Sequence, residues 1–189
     1  DGYDFLVGWD GGSKMVSHFG EVGLSPISRD QAVGLSDICW DGSQYIAAGI
    51  YSFSTVKSFL ISKTGFLLTT PGEIPATSDF RTSLAIAPKT GGAQLVWTSV
   101  PAFPSVDPPH NNFPLTDGDI MSASISTDGS LSLPWPISVS APRQSQPRVV
   151  AGASGFLVVF RSEISNEAKI LAQRLDDVGS VIDQEPIVI

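Results

Sequence analysis

The stretch that decides the fold runs from Asp41 to Gly49 and reads Asp-Gly-Ser-Gln-Tyr-Ile-Ala-Ala-Gly. It joins an Asp-Gly turn signal to an aromatic residue and a short apolar run. Imperfect copies, spaced about 40 to 60 residues apart, lie at 1–9, 91–97 and 153–160. Self-similarity with a period of this size indicates stacked repeats, such as solenoids or propellers, rather than one irregular core.

A second landmark follows each copy of this stretch: a glycine between two apolar segments. The four glycines are Gly23, Gly65, Gly129 and Gly179. Asp-Gly and related pairs tolerate positive φ, which tight hairpin turns demand. Two landmarks that keep the same order through the chain are harder to obtain by chance than one. The sequence therefore predicts about four structural repeats.

Each repeat is predicted to hold four short strands. In the last one they are 148–151, 156–160, 169–175 and 186–189. The third of these alternates apolar and polar residues, whereas the second is a continuous apolar run, as expected for a strand buried on both faces. No segment shows a capped helical stripe.

Four-stranded units at this period are typical of propeller blades. The predicted fold class is all-β: a β-propeller-like array of about four four-stranded antiparallel blades, or an incomplete part of a larger propeller. Residues 1–189 form one domain, with approximate repeats at 1–34, 35–80, 81–143 and 144–189. An ordinary β-sandwich with accidental self-similarity is the alternative.

The first repeat opens on its second predicted strand, which gives fifteen strands rather than sixteen. Unpaired strand edges promote association. We therefore expect a partner that completes the array, either another protein chain or the remainder of a larger propeller.

Composition limits the function classes. Only 16% of residues are charged, against about 25% in typical proteins, and such a surface suits an extracellular or cell-surface protein. The formal net charge of −8 disfavours nucleic acid and anionic membranes as partners. No apolar run is long enough for membrane insertion. The lone cysteine, Cys39, is expected to be a small buried hydrophobe.

The repeats resemble those of a bacterial family of secreted or surface β-propeller proteins, whose units read Pro-x-Val-Ala-Trp-Asp-Gly-x-x-Tyr-Leu-Val-Val-Trp, then Ile-x-x-Gln-Arg-Val-Asp-x-x-Gly, then Pro-Ile-x-Ile-Ser. The matching stretches are 38–45, 136–138, 156–160 and 170–179. The resemblance implies propeller-like repeats in large secreted or surface-attached proteins and carries no catalytic motif. The third repeat departs most, because Pro88-Lys89-Thr90-Gly91-Gly92 replaces its Asp-Gly turn.

Signals for chemistry are sparse. The two histidines, His18 and His110, are far apart, and no nucleophile elbow, phosphate loop or metalloprotease motif occurs. Ser126-Thr127-Asp128-Gly129 is similar to the Asp-box of sialidases, but its glycine and Trp135 are wrongly spaced, so a plain hairpin turn is expected. We predict no catalytic residues and no cofactor.

A proline-rich insertion, 99–118, interrupts the third repeat. Prolines remove ladder donors, so this segment is not a central strand. Long insertions of this kind are often functional. Oxygen and imidazole ligands for a cation could come from four residues, which are weak metal candidates: Asp107, His110, Asp117 and Asp119. The alternative is a stiff surface loop that covers a blade edge.

The loops that enter each predicted first strand carry polar residues that could line one end of a central channel. Such a ring could hydrogen-bond a glycan or a peptide. The candidate ligand-binding residues are Asp30, Gln31, Asp79, Arg81, Arg143, Gln144 and Gln146. Solvent-facing polar turns are the alternative interpretation.

The favoured function is a noncatalytic extracellular binding or structural propeller module that makes protein or glycan contacts. One alternative is a fragment of a propeller-fold glycoside hydrolase or other hydrolase, which would need two carboxylates in a channel pocket. Another is a subunit of a surface assembly completed by strand exchange.

Overall fold

A computed structural model of the 189-residue chain describes residues 4–9, 12–17, 35–51, 54–69, 72–75, 79–101, 118–139, 143–164 and 167–189. These residues form fourteen β-strands. The strands are β1 Asp4–Trp9, β2 Gly12–Ser17, β3 Leu35–Trp40, β4 Tyr45–Tyr51, β5 Thr55–Ile61, β6 Gly72–Ile74, β7 Phe80–Lys89, β8 Gly92–Val100, β9 Asp119–Ser126, β10 Trp135–Ser138, β11 Arg143–Gly152, β12 Gly155–Ile164, β13 Glu167–Leu175 and β14 Ile187–Val188.

The strands form four sheets, numbered here in chain order. The first sheet pairs β1 with β2, and the second, third and fourth sheets are β3–β6, β7–β10 and β11–β14. Every described pairing is antiparallel, and sequence neighbours lie side by side. The predicted all-β class with four-stranded antiparallel sheets is therefore confirmed. The other predicted strand positions of the first repeat lie outside the described residues.

The glycine turn after each third strand has the same geometry in three sheets. Gly65, Gly129 and Gly179 have φ of 84°, 85° and 93°, and the amide of each donates to the carbonyl three residues earlier. An isolated bridge then closes each turn: Ile61 with Leu67, Ile125 with Leu131 and Leu175 with Val181. The second landmark of the sequence thus marks a true structural repeat.

The sheets stack face to face in a propeller-like arrangement. Their first strands lie together, since β3 contacts β7 and β7 contacts β11. One apolar core fills the space between the second and third sheets and includes Ile46, Leu60, Leu95 and Trp97. Another, which includes Phe156 and Phe160, fills the space between the third and fourth. Most of the hydrophobic burial therefore lies between the sheets.

Each interface also has a polar contact made by a glycine turn. The Gly129 carbonyl accepts a hydrogen bond of 3.0 Å from Ser58 Oγ in the preceding sheet. The Gly179 carbonyl accepts one of 3.1 Å from Trp135 Nε1. The turn of one sheet is thus seated on the face of the sheet before it.

The first hairpin of the third repeat is regular despite its unusual sequence. Lys89 pairs with Gly92, and a two-residue turn, Thr90-Gly91, joins β7 to β8. Gly91 and Gly92 have φ of 78° and 144°, conformations that glycine adopts without a steric penalty. Two consecutive glycines therefore stand where the first two repeats have an Asp-Gly pair.

One expectation about the last repeat is wrong. Its second strand, β12, is not buried on both faces. Phe156, Val158 and Phe160 pack against the third sheet, whereas Leu157 between them is 36% exposed. The corresponding strands β4 and β8 are largely buried, so an apolar run alone does not tell whether a further sheet covers its second face.

Asp128 provides a pH-dependent test of the turn geometry. The hydroxyl of Ser126 and the amide and hydroxyl of Ser130 donate hydrogen bonds to its carboxylate, which lowers the pKa of Asp128 from 3.8 to about 2. A lowered folded-state pKa adds stability that is present above pH 3.8 and lost as the pH falls towards 2. We expect the stability difference between wild type and Asp128→Asn to shrink over that range in urea unfolding.

The control for this prediction is Ser126→Ala, which removes one donor and leaves the carboxyl in place. An NMR titration should then find the pKa of Asp128 closer to its ordinary value than in wild type. An unchanged pKa in that variant would contradict the assigned hydrogen bond.

Candidate functional site

The three described first strands each have a β-bulge, and the bulges lie at similar register positions. The register of β3 shifts between Leu35 and Asp37, that of β7 between Thr82 and Ala85, and that of β11 between Ser145 and Arg148. Bulges bend the strand and re-aim the side chains next to them. Because these strands lie together, the three bulges converge on one place.

Two of the bulges hold a non-glycine residue in the left-handed region. Ser83 has φ of 53° and Gln146 has φ of 54°, and both occupy the same register position in successive sheets. Such a conformation costs free energy for a residue with a Cβ and often occurs where function requires a particular side-chain direction. The repetition of this strain in two sheets points to a functional surface.

An open cleft of about 520 Å³ lies where the bulges meet, lined by Ser36, Ser83, Leu84, Gln146 and Arg148. Leu84 is buried, and the other four are exposed. The cleft therefore offers hydroxyls, a carboxamide and a guanidinium, groups that suit a polar ligand. The lining that the structure describes includes no carboxylate.

Asp37, next to the cleft, has a structural role. Its carboxylate accepts hydrogen bonds from the amide of Ile38 at 2.9 Å and from the amide of Ile86 in β7 at 3.0 Å. The second contact ties the second sheet to the third beside their bulges. Arg148 in β11 occupies the register position that corresponds to Asp37 in β3, and its Nη1 donates to the Pro147 carbonyl at 2.9 Å.

The predicted ring of ligand-binding residues is only partly brought to this cleft. Gln146 lines it, whereas Arg81 is buried and donates to the carbonyls of Ile74 and Pro75 at 3.2 and 3.1 Å. Gln144 is buried too, and its amide nitrogen donates to Ser138 Oγ at 2.8 Å.

The remaining ring members lie elsewhere. Arg143 pairs with Glu163 at 3.3 Å, and Asp79 lies 3.4 Å from the hydroxyl of Ser99. Asp30 and Gln31 are outside the described residues. The structure thus gives Arg81, Arg143 and Gln144 contacts that join strands, and their role in ligand binding stays a prediction.

Of the weak metal candidates, the structure describes one. Asp119 begins β9 and pairs with Ser99, whereas Asp107, His110 and Asp117 lie outside the described residues. Among the residues that are described, no group of three or more potential ligands lies together. Metal binding by the insertion stays a prediction.

Sequence reasoning missed Ser36, Ser83 and Arg148. The usual sequence signal for a bulge with positive φ is glycine, and the residues here are Ser83 and Gln146. Without that signal, the position at which the first strands turn their side chains to the cleft could not be identified.

Cys39 is not a candidate nucleophile. Burial, followed by the charges of Asp37 and Asp41, raises the pKa of its thiol to about 12. A neutral thiol is a poor nucleophile. Cys39 packs instead against the core between the second and third sheets. Within the described residues, no helix has the length and apolar character needed to cross a membrane.

Fold and cleft together define a class: an all-β, propeller-like protein with a polar cleft where its inner strands meet. No protein-family model matches the chain, and no curated protein sequence is significantly similar to it. Solved structures are similar at the level of the fold.

Two of these structures have TM-scores of 0.50 or above. An α-L-arabinofuranosidase, CtGH43 from Clostridium thermocellum, aligns with 98% of this chain and 68% of its own, with a TM-score of 0.51 and 11% identity. A Synechocystis apocarotenoid oxygenase aligns with 98% of this chain and 46% of its own, with a TM-score of 0.50 and 11% identity. At this identity the likeness concerns architecture alone, and it agrees with a propeller-like array.

Proposed function

We propose that this protein is a noncatalytic, secreted or surface-exposed propeller module that binds a glycan in the central cleft. The observation that carries the proposal is the pair of strained bulge residues, Ser83 and Gln146, which occupy the same position in successive sheets and face one cleft. A strained backbone is retained where the surrounding structure holds it for a purpose.

A glycan matches the cleft chemistry. Sugar hydroxyls both donate and accept hydrogen bonds, as do the hydroxyls of Ser36 and Ser83 and the carboxamide of Gln146. Arg148 adds a guanidinium that donates to ring or carboxylate oxygens. The low charged fraction of 16% and the resemblance to secreted propeller repeats support an extracellular location.

The array itself is proposed to comprise about four blades that belong to a larger propeller. Support comes from the three four-stranded sheets of equal topology and from the further pair β1–β2. The remainder of the propeller, or another protein chain, would complete it.

Arg148 allows the proposed cleft to be tested. A glycan array that includes neutral and uronic-acid oligosaccharides would identify a ligand, and calorimetry would measure its affinity. Arg148→Ala should weaken binding about tenfold or more, because hydrogen bonds to charged groups contribute about 1.5–3 kcal/mol. Gln146→Ala should weaken it less.

Arg161→Ala is the matched control, since Arg161 is an arginine of the fourth sheet that pairs with Glu163 rather than lining the cleft. Equal losses in Arg148→Ala and Arg161→Ala would place the ligand elsewhere. An array without any bound glycan would remove the glycan proposal.

The alternative is a propeller glycoside hydrolase, the activity class named for the structural neighbour CtGH43. Hydrolysis of glycosides usually needs two carboxylates across the scissile bond, and the described cleft lining contains none. Incubating the chain with arabinan and related polysaccharides would decide: sustained release of reducing sugar would favour the enzyme.

A further inference from the structure

The outer face of the fourth sheet, meaning the side of β11–β13 turned away from the third sheet, is apolar at its centre. It carries Val150, Leu157, Val159 and Ile170. Val150 is 58% exposed, Ile170 45% and Leu157 36%. Monomeric proteins rarely leave a contiguous set of such residues uncovered without a reason.

The same positions are covered in the two preceding sheets. Leu157 lies opposite Val150 and Arg174, as Gln94 lies opposite Ala87 and Ser124, and Ile46 opposite Cys39 and Leu60. In all three sheets the third-strand partner of the central residue lies five residues before the turn glycine. Ile46 and Gln94 have no exposed surface. The outer face of the fourth sheet is therefore the repeat of an established interface.

What covers these positions elsewhere is the following sheet and its glycine turn. A Cβ placed on Gly129 would lie 3.2 Å from Leu60 of the second sheet. A Cβ placed on Gly179 would lie 2.8 Å from Trp135 and 2.7 Å from Gln94 Oε1 of the third. Each covered face thus receives a closely packed turn whose glycine has positive φ.

Two arginines beside the apolar centre of the outer face are paired with acids. Arg174 forms an ion pair with Asp183, and Arg161 forms one with Glu163. Burying an unpaired charge would be costly, whereas an arginine covered together with its carboxylate partner keeps its ion pair. Glu163 and Asp183 thus neutralise the two guanidinium groups beside the apolar centre.

We propose that this face docks a further four-stranded blade of the same repeat type, with its glycine turn seated over Arg174. Leu157, Val159 and Ile170 correspond to Ile46, Ala48 and Val56, the apolar face that the third sheet covers. The docked blade therefore presents a second strand like β8, whose Ala93, Leu95 and Trp97 face the preceding sheet. The small residue of that strand lies nearest the hairpin turn between the first and second strands. This inference rests on the proposed larger array and not on the ligand of the cleft.

The test extends the whole chain beyond Ile189 with a second copy of residues 79–139, the repeat that covers an equivalent face. Leu157→Cys in a Cys39→Ala background reports on burial through its rate of labelling by a maleimide. Docking should slow labelling at least tenfold relative to the unextended chain. A control is Leu133→Cys, because Leu133 is 88% exposed in the connection between β9 and β10, and it should label equally fast in both chains.

A blocking variant, Ile170→Glu in the extended chain, should restore fast labelling at position 157. The added repeat cannot bury its inward face by itself, so failure to gain β-sheet circular dichroism would count against the proposal, as would unchanged labelling. An unextended chain that forms dimers with position 157 protected would overturn it in favour of a second copy. Each of these results is independent of glycan binding, which calorimetry measures separately.

Discussion

Replacing Trp97 with alanine is expected to lower the free energy of unfolding by about 3–5 kcal/mol. Trp97 lies in β8, is 1% exposed and belongs to the core between the second and third sheets. Truncation removes the largest side chain of that core and leaves a cavity that the backbone of two sheets cannot collapse to fill. Urea unfolding followed by far-ultraviolet circular dichroism would measure the loss.

Arg81 increases the expected cost. Its guanidinium carbon lies 5.9 Å from the centre of the Trp97 ring, within the range of a cation–π contact. Arg81 is buried and holds the carbonyls of Ile74 and Pro75. Without the ring, this charged group would face a cavity, and the link from β7 to the end of the second sheet would weaken with the core.

Two control variants test whether the loss in Trp97→Ala comes from the buried volume of the side chain. Trp97→Phe tests the contribution of the indole N–H, and Trp40→Ala removes a tryptophan that is more exposed. The buried indole nitrogen of Trp97 has no hydrogen-bond partner among the described residues, so Trp97→Phe should cost well under half as much as Trp97→Ala. Trp40 is partly exposed and makes an edge contact with Tyr45 at 4.8 Å. Trp40→Ala should therefore cost about 1 kcal/mol. Equal losses for Trp97→Ala and Trp40→Ala would contradict the assigned core.

The sheets could be predicted from sequence because each depends on local signals. Asp-Gly turns, the alternation in 169–175 and the apolar run in 156–160 each specify strand and turn within a few residues. The glycine turns at Gly65, Gly129 and Gly179 recur with almost the same φ. The fold can be predicted because the same turn residues and apolar patterns recur along the chain.

The cleft could not be predicted in the same way, because it depends on contacts between repeats. Ser36, Ser83 and Arg148 belong to three first strands that meet only when the sheets stack. The exposure of Leu157 likewise depends on whether a sheet lies over it, and its sequence surroundings resemble those of buried Leu95. The tertiary contact of Arg81 with the Pro75 carbonyl at 3.1 Å likewise could not be predicted from local sequence.

Gly92→Ala is the second change with a large expected effect, about 2–5 kcal/mol of lost stability. Gly92 has φ of 144°, and a Cβ there would lie 1.9 Å from the carbonyl oxygen of Ile125 in the neighbouring strand. Backbone strain of about 1–2 kcal/mol adds to an overpacking cost of about 1–3 kcal/mol. Neither the Gly92 backbone nor the Ile125 carbonyl can move without breaking hydrogen bonds between β8 and β9.

Gly91→Ala is the control, because it tests strain without the clash. Gly91 has φ of 78°, but a Cβ there would meet only the methyl group of Thr127 at 3.9 Å. Its cost should be about 1–2 kcal/mol. Thermal and urea unfolding of both variants would rank them, and a Gly91 variant as unstable as the Gly92 variant would show that strain alone decides.

Gly155 in the fourth sheet combines a positive φ with a close backbone contact, as Gly92 does. It occupies the corresponding place at the start of β12, has φ of 141°, and a Cβ there would lie 2.1 Å from the carbonyl of Leu175. In the second sheet a longer turn brings Gln44 to this place, and Asp41 accepts its amide at 2.9 Å. Gly155→Ala should therefore be as costly as Gly92→Ala, whereas Gln44→Ala should be mild, because the close backbone approach belongs to the two-residue turn.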